Sequence, residues 1–191
     1  MTLPKLVDRG WAVSAIRSKS AAVDVPGVTW HRADLLDPAD GRRAIDASGA
    51  SHLLHFAWYI APGKWASAPE NFEWVRASVD LLRAFKQAGG ARVVTAGSCL
   101  EYDWNHGYCA EDRTPCTPHT VYGTCKHALQ LLTSAMADGA LSTAWGRIFF
   151  LYGPHEHPDR LVASVIRSLL AGQPARCSHG RQVRDYLYAD D

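Results

Sequence analysis

Residues 69–98 read PENFEWVRASVDLLRAFKQAGGARVVTAGS, and two periodicities meet inside them. Apolar residues recur in steps of three and four at Phe72, Val75, Val79, Leu82 and Phe85, which predicts an amphipathic helix closed by Gly89-Gly90. The pattern then changes to ARVVTAGS, a strand-like run that stops on small residues at Ser98. A helix handed through a glycine turn into a strand is half of a βαβ crossover.

The alternation extends in both directions. WAVSAIR (11–17), GVTWHRADL (27–35), SHLLHFAW (51–58) and LSTAWGRIFFLYGP (141–154) read as strands. PADGRRAIDAS (38–48), residues 121–136 and LVASVIRSLLAGQP (161–174) read as helices, the second with a buried stripe expected at Leu129, Leu132 and Met136. Strands alternating with helices of this length imply a parallel sheet covered on both faces. Ligands of such sheets bind at the carboxyl ends of strands. Ser98, His55, Ala57 and Asp34 all fall near strand ends and gather at one rim. The irregular stretch 103–119, DWNHGYCAEDRTPCTPH, is long enough to suggest a functional loop.

Composition removes several classes of function. The 191 residues suit one domain, with 47% hydrophobic and 20% charged residues. Twenty basic residues against 19 acidic ones give a formal charge of +1, no footprint for nucleic acid or an anionic membrane. No window reaches the ~18 apolar residues of a membrane span, and the N-terminus lacks the apolar core of a secretory signal. The five cysteines form no C-x-x-C pair and are odd in number, so reduced thiols and a cytoplasmic location are expected. HEH at 155–157 has no third ligand nearby, and no metal site is expected.

One further pair carries chemistry. TVYGTCK (120–126) sets Tyr122 four residues before Lys126, on one helical face with Cβ atoms roughly 5–6 Å apart. A phenol and an ammonium can converge there on one reacting group, but that spacing also arises by chance in many helices. Other motifs decide the matter. DLLD (34–37), HFAW (55–58), AGSCLEYD (96–103), VYGTCK (121–126), GRIFFLYGP (146–154) and GRQVRDYLYADD (180–191) follow one another at plausible spacings. In that order they resemble the extended short-chain dehydrogenase/reductases, the NAD(P)-dependent nucleotide-sugar epimerase/dehydratase family, over nearly the whole chain.

The resemblance implies a Rossmann-like, doubly wound parallel α/β sheet and hydride transfer between a nicotinamide and a sugar carbon, most often C4. Ser98, Tyr122 and Lys126 would be the catalytic set. Tyr122 would move the proton on the sugar oxygen, and a cation one turn away favours its phenolate. Ser98 would orient that oxygen. Arg17, Asp34, Leu35, Phe56, Ala57 and Trp58 would line the cofactor together with Tyr122 and Lys126. Ser98 and Arg184 would meet the nucleotide-sugar substrate, Arg184 as a clamp on the diphosphate. A homodimer through the Tyr122/Lys126 helix is implied in the same way.

Departures from the family pattern narrow the reaction. The family's 4,6-dehydratases carry Asp and Glu where this chain has Cys99 and Leu100, so dehydration is not expected. Epimerisation at C4 and reduction of a 4-keto sugar stay open. Arg17 and Lys19, in place of an acidic residue at a strand end, suit the 2′-phosphate of NADP; with Arg17 merely ending a strand in solvent, NAD stays open as well. Trp58, Tyr59, Trp65 and Trp104 read either as a sugar-pocket lining or as buried packing area. Trp74 stands where the family usually has Asn.

No glycine-rich phosphate loop precedes the first strand, and MTLPKLVDRGW resembles only the end of the helix that would follow it. The expectation is a single NAD(P)-binding domain over 1–191, with 154–191 leading into a shortened substrate-binding region. On that expectation it lacks the family's first strand and most of its C-terminal domain, and binds dinucleotide weakly or not at all, with activity impaired or lost. The alternative is a non-catalytic relative that binds a nucleotide or a protein partner.

Overall fold

A computed structural model describes residues 2–18 and 24–191. Lys19 lies outside them. The chain forms two compact units, one up to Arg147 and one over Ile148–Asp191.

The first unit holds helix α1 (Thr2–Asp8), strands β1 (Val13–Arg17) and β2 (Val28–Arg32), helix α2 (Pro38–Ser48), strand β3 (His52–His55), helix α3 (Glu70–Gln87), strand β4 (Arg92–Ser98), helix α4 (Val121–Ala135) and most of strand β5 (Ser142–Ile148). β1 pairs with β2 in parallel from Val13↔Val28 to Arg17↔Arg32, and β3 pairs with β4 from His52↔Arg92 to His55↔Thr95. β5 joins the other edge of β4. α2 packs on α3 and α3 on α4. Because crossovers between parallel strands are right-handed, α2 and α3 on one face carry the chain from β2 past β3 to β4 in a single direction. The Trp11 ring lies 5.4 Å from that of His52, which brings the start of β1 towards β3. Across the unit the order is therefore β2, β1, then β3, β4, β5. Among the described residues β1 and β3 belong to separate sheets, at the place where the sequence reading expects a missing strand.

In the second unit, β6 (Phe150–Tyr152) pairs in parallel with β7 (Tyr186–Tyr188), and α5 spans Leu161–Leu170. Among the described residues no helix is long and apolar enough to cross a membrane.

Local chemistry sets the boundaries. Asp37 caps α2 by accepting from the Ala39 N–H, Pro38 opens the helix, and Gly49 closes it at φ 56°. Thr120 Oγ1 accepts from the Gly123 N–H at 3.0 Å and starts α4. Two expectations change. Residues 141–154 are two strands rather than one, and β3 ends at His55 rather than Trp58.

The helix stripes also rotate. Phe72 is 61% exposed and Leu132 44% exposed. α3 buries Asn71, Ala77, Ser78, Leu81, Leu82 and Phe85, while α4 buries Cys125, Lys126, Leu129 and Thr133. The reason is the polar members: each helix turns a polar side chain inward, Asn71 or Lys126, and the apolar residues off that face are left outside. The core forms around Ile45, Leu81, Leu82, Phe85, Val93, Leu129 and Leu141. Leu129→Ala is expected to cost roughly 2–5 kcal/mol by urea denaturation, and Leu132→Ala less than about 1 kcal/mol.

Candidate active site

The site is built where β4 ends. The Ser98 N–H donates to Glu101 Oε1 at 2.7 Å, and Ser98 Oγ accepts from the Leu100 N–H at 3.2 Å, so a capping box closes the 3-10 turn Cys99–Glu101. Glu101 has no exposed surface. Its carboxylate accepts from Trp145 Nε1 at 3.0 Å and from Arg147 Nε at 2.9 Å, both on β5. A Cβ on Gly97 would fall on the Trp145 indole nitrogen, so glycine is required for the carboxylate and the indole to meet beneath β4.

α4 docks onto this turn through another absent side chain. A Cβ on Gly123 would fall on the Leu100 carbonyl oxygen. The first turn of α4 therefore lies directly against the segment that follows Ser98, with Tyr122 and Lys126 on either side of the contact. The Tyr122 N–H donates to the Ala66 carbonyl at 3.1 Å. Its ring meets the edges of Trp65 at 5.1 Å and Trp58 at 6.3 Å between centroids.

Lys126 Nζ donates to the Ala96 carbonyl at 2.9 Å, two residues before Ser98. It sits 3.9 Å from the centroid of the Trp58 ring and 6.0 Å from that of Tyr122. The residue is only 3% exposed. Burial pulls its pKa down to about 8, and Glu101 acts in the opposite direction. Below the same site, His55 Nε2 and Ser78 Oγ share a 2.8 Å hydrogen bond, and burial, then the Lys126 charge, lowers the imidazole pKa to about 4.

Asn71 is the hub of the covering segment. Its Oδ1 accepts from Trp58 Nε1 at 2.8 Å, and its Nδ2 donates to the Trp65 and Ala68 carbonyls, each at 2.8 Å. The sequence reading gave Asn71, Arg147 and Glu101 no role of their own, although Glu101 and Arg147 stand within the motifs AGSCLEYD and GRIFFLYGP. The one available signal was a carboxylate at the apolar exit of β4, two residues after Cys99.

The structure brings Ser98, Tyr122, Lys126 and Trp58 into one contiguous region. Each remaining candidate has contacts of its own. Asp34 Oδ1 accepts from the Leu36 N–H at 3.0 Å and shapes the turn after β2, while Leu35 packs on the core. Phe56 is 53% exposed, and Ala57 is half-buried. Arg17, at the end of β1, pairs with Asp24 at 3.4 Å and lies over the Trp30 ring at 5.4 Å. Arg184 belongs to the second unit, where it lies over the Phe150 ring at 4.5 Å and donates to Gln182. Of the four aromatics weighed as a pocket lining, Trp58 and Trp65 flank Tyr122. Tyr59 packs on the core, and the Trp104 indole donates to the Cys99 carbonyl. Among the described residues no three His, Cys, Asp or Glu side chains gather as a metal-binding group.

Residues 2–191 match the NAD dependent epimerase/dehydratase family. UDP-glucuronate 4-epimerase 1 of Arabidopsis thaliana is 25% identical over 185 residues, 92% of this chain and 43% of that protein. dTDP-glucose 4,6-dehydratase of Streptomyces antibioticus is 28% identical over 177 residues, 88% of this chain and 51% of that one. The solved structure of MoeE5 in complex with UDP-glucose and NAD superposes with a TM-score of 0.76 at 29% identity, covering 98% of this chain and 63% of MoeE5. This chain belongs to the NAD dependent epimerase/dehydratase family. It spans about half the length of the curated relatives it matches.

The buried imidazole sets an acid limit on stability. His55 titrates near 6.5 when unfolded and near 4 when folded, so the unfolded chain binds the extra proton between those values. The His55 contribution to stability is expected to be complete above pH 6.5 and to be lost as pH drops to about 4, amounting to roughly 3 kcal/mol at 1.36 kcal/mol per unit. His55→Gln should flatten that part of the profile, measured as urea midpoint against pH.

Proposed function

We propose that this chain carries the proton-handling and hydride-transfer centre of an NAD(P)-dependent nucleotide-sugar oxidoreductase acting at sugar C4, by epimerisation or by reduction of a 4-keto sugar. The observation that carries the reading is the bond from Lys126 Nζ to the Ala96 carbonyl, which sets the ammonium beside the strand end bearing Ser98 and one helical turn from Tyr122. A hydroxyl, a phenol and an ammonium at one strand end are the donor set that sugar and ribose hydroxyls require, and to that extent the residues fit a nicotinamide dinucleotide.

When bound, that cofactor supplies the hydride step. The protein's own part is proton handling and orientation. Tyr122 gives or takes the proton on the sugar oxygen, and Lys126 favours its phenolate and holds ribose hydroxyls. Ser98 Oγ hydrogen-bonds the same sugar oxygen. Arg184 pairs with the substrate diphosphate. Cys99 and Leu100 supply no acid–base pair for water elimination, which supports epimerisation or reduction over dehydration. The complex of MoeE5 with UDP-glucose and NAD supports a nucleotide sugar as the substrate class. A preference for NADP rests on the Arg17 guanidinium at the end of β1, and a homodimer through α4 on its exposed Leu131 and Leu132.

The test is Tyr122→Phe, assayed for turnover of UDP- and dTDP-linked hexoses with NAD and NADP. Turnover should fall by about a hundredfold or more, while calorimetry shows the sugar nucleotide still bound. Unchanged turnover refutes the proton-transfer role.

A further inference from the structure

We propose that Trp58, locked in place by Asn71, is a positioning residue for Lys126: its indole face and the Ala96 carbonyl together hold the ammonium at one point beside the end of β4, with Glu101 as the balancing charge. The inference rests on the reading of Lys126 as part of the reactive centre, but its geometry stands independently.

Three observations carry it. The ammonium lies 3.9 Å from the indole centroid, within the range of a cation–π contact. The indole cannot turn freely, because its N–H is bonded to Asn71 Oδ1 at 2.8 Å. Asn71 is itself fully buried, with both its Nδ2 bonds made to backbone carbonyls of the segment 65–68. A buried amide bonded to this segment and its tryptophan in this way leaves the indole one orientation. Trp58 and Trp65 also bracket Tyr122, so one clamp sets both members of the Tyr-Lys pair.

The charges facing Lys126 come from several elements. Glu101 faces it from the turn after β4 and opposes the effect of burial. Arg147 on β5 shares that carboxylate. His55 on β3 is neutral at pH 7, since its own pKa lies near 4. Tyr122 shares the helix. Burial is thus the influence that lowers the Lys126 pKa, and Glu101 is the one that holds it back; the indole supplies part of that cover.

The experiment follows the Cε shift of isotopically labelled lysine against pH in the chain itself, without cofactor or substrate, with Lys126 assigned by the signal lost in Lys126→Met. The wild-type midpoint should lie near 8. Trp58→Ala, which admits water, should raise it by about one unit or more, and Trp58→Phe, which keeps an aromatic face, should leave it within about half a unit. Glu101→Gln should lower it. An unchanged midpoint in folded Trp58→Ala, or Trp58→Phe moving as far as Trp58→Ala, overturns the role of the indole. An unchanged or raised midpoint in Glu101→Gln overturns that of the carboxylate. Because no turnover is read, a failure of the oxidoreductase reading with Tyr122→Phe leaves these midpoints where they are, so the two failures can be told apart.

Discussion

The site depends on one sealed carboxylate. Glu101 has no contact with solvent, yet it takes hydrogen bonds from the Ser98 backbone, the Trp145 indole and the Arg147 guanidinium. An unpaired buried charge is strongly destabilising, whereas a fully bonded one is tolerated and fixes its neighbours. The three donors arrive from the end of β4 and from β5, so the carboxylate can be satisfied only when both strands and the turn between Ser98 and Glu101 are in register. The position of Ser98 is then a by-product of charge satisfaction. Two glycines make the arrangement sterically feasible: Gly97 lets the carboxylate reach the indole, and Gly123 lets α4 reach the turn.

The break between β1 and β3 is the fold's weak line. Each of these strands has its parallel partner on one side only among the described residues, and the two halves are held by the helix layer and by side chains such as Trp11 and His52. Ser98, Tyr122 and Lys126 all lie on the β3–β4–β5 side, on β4 and α4. That half carries a continuous core and the buried polar network, which is why the site is well formed in a unit whose sheet is divided.

Much of this was legible in the sequence because it is local. The helix over 70–87, its glycine stop, the strand ending at Ser98, and the Tyr122–Lys126 spacing are all set by residues within two turns of one another. What could not be read was decided over distance. Asn71 appears in the sequence as an ordinary polar residue of a first helical turn, and only the approach of Trp58, thirteen residues earlier, gives it a task. The expected outward side of α4 changed for the same reason: Lys126 has to face the Ala96 carbonyl, and Leu132 then points away. Glu101 was given no role of its own within AGSCLEYD because its partners, Trp145 and Arg147, lie more than forty residues downstream. Trp58 was read as part of a cofactor wall, and the contact of its indole with this protein's own ammonium could not be read from the sequence.

A single carboxamide stitches the segment between β3 and α3 to the helix that follows it. With its oxygen on an indole and its nitrogen on two carbonyls, Asn71 leaves residues 58–68 little freedom to flap independently of α3. Because the same indole rests on the Lys126 ammonium, that segment, α3 and α4 are coupled through one ring, as a splint rather than as a loop with play of its own.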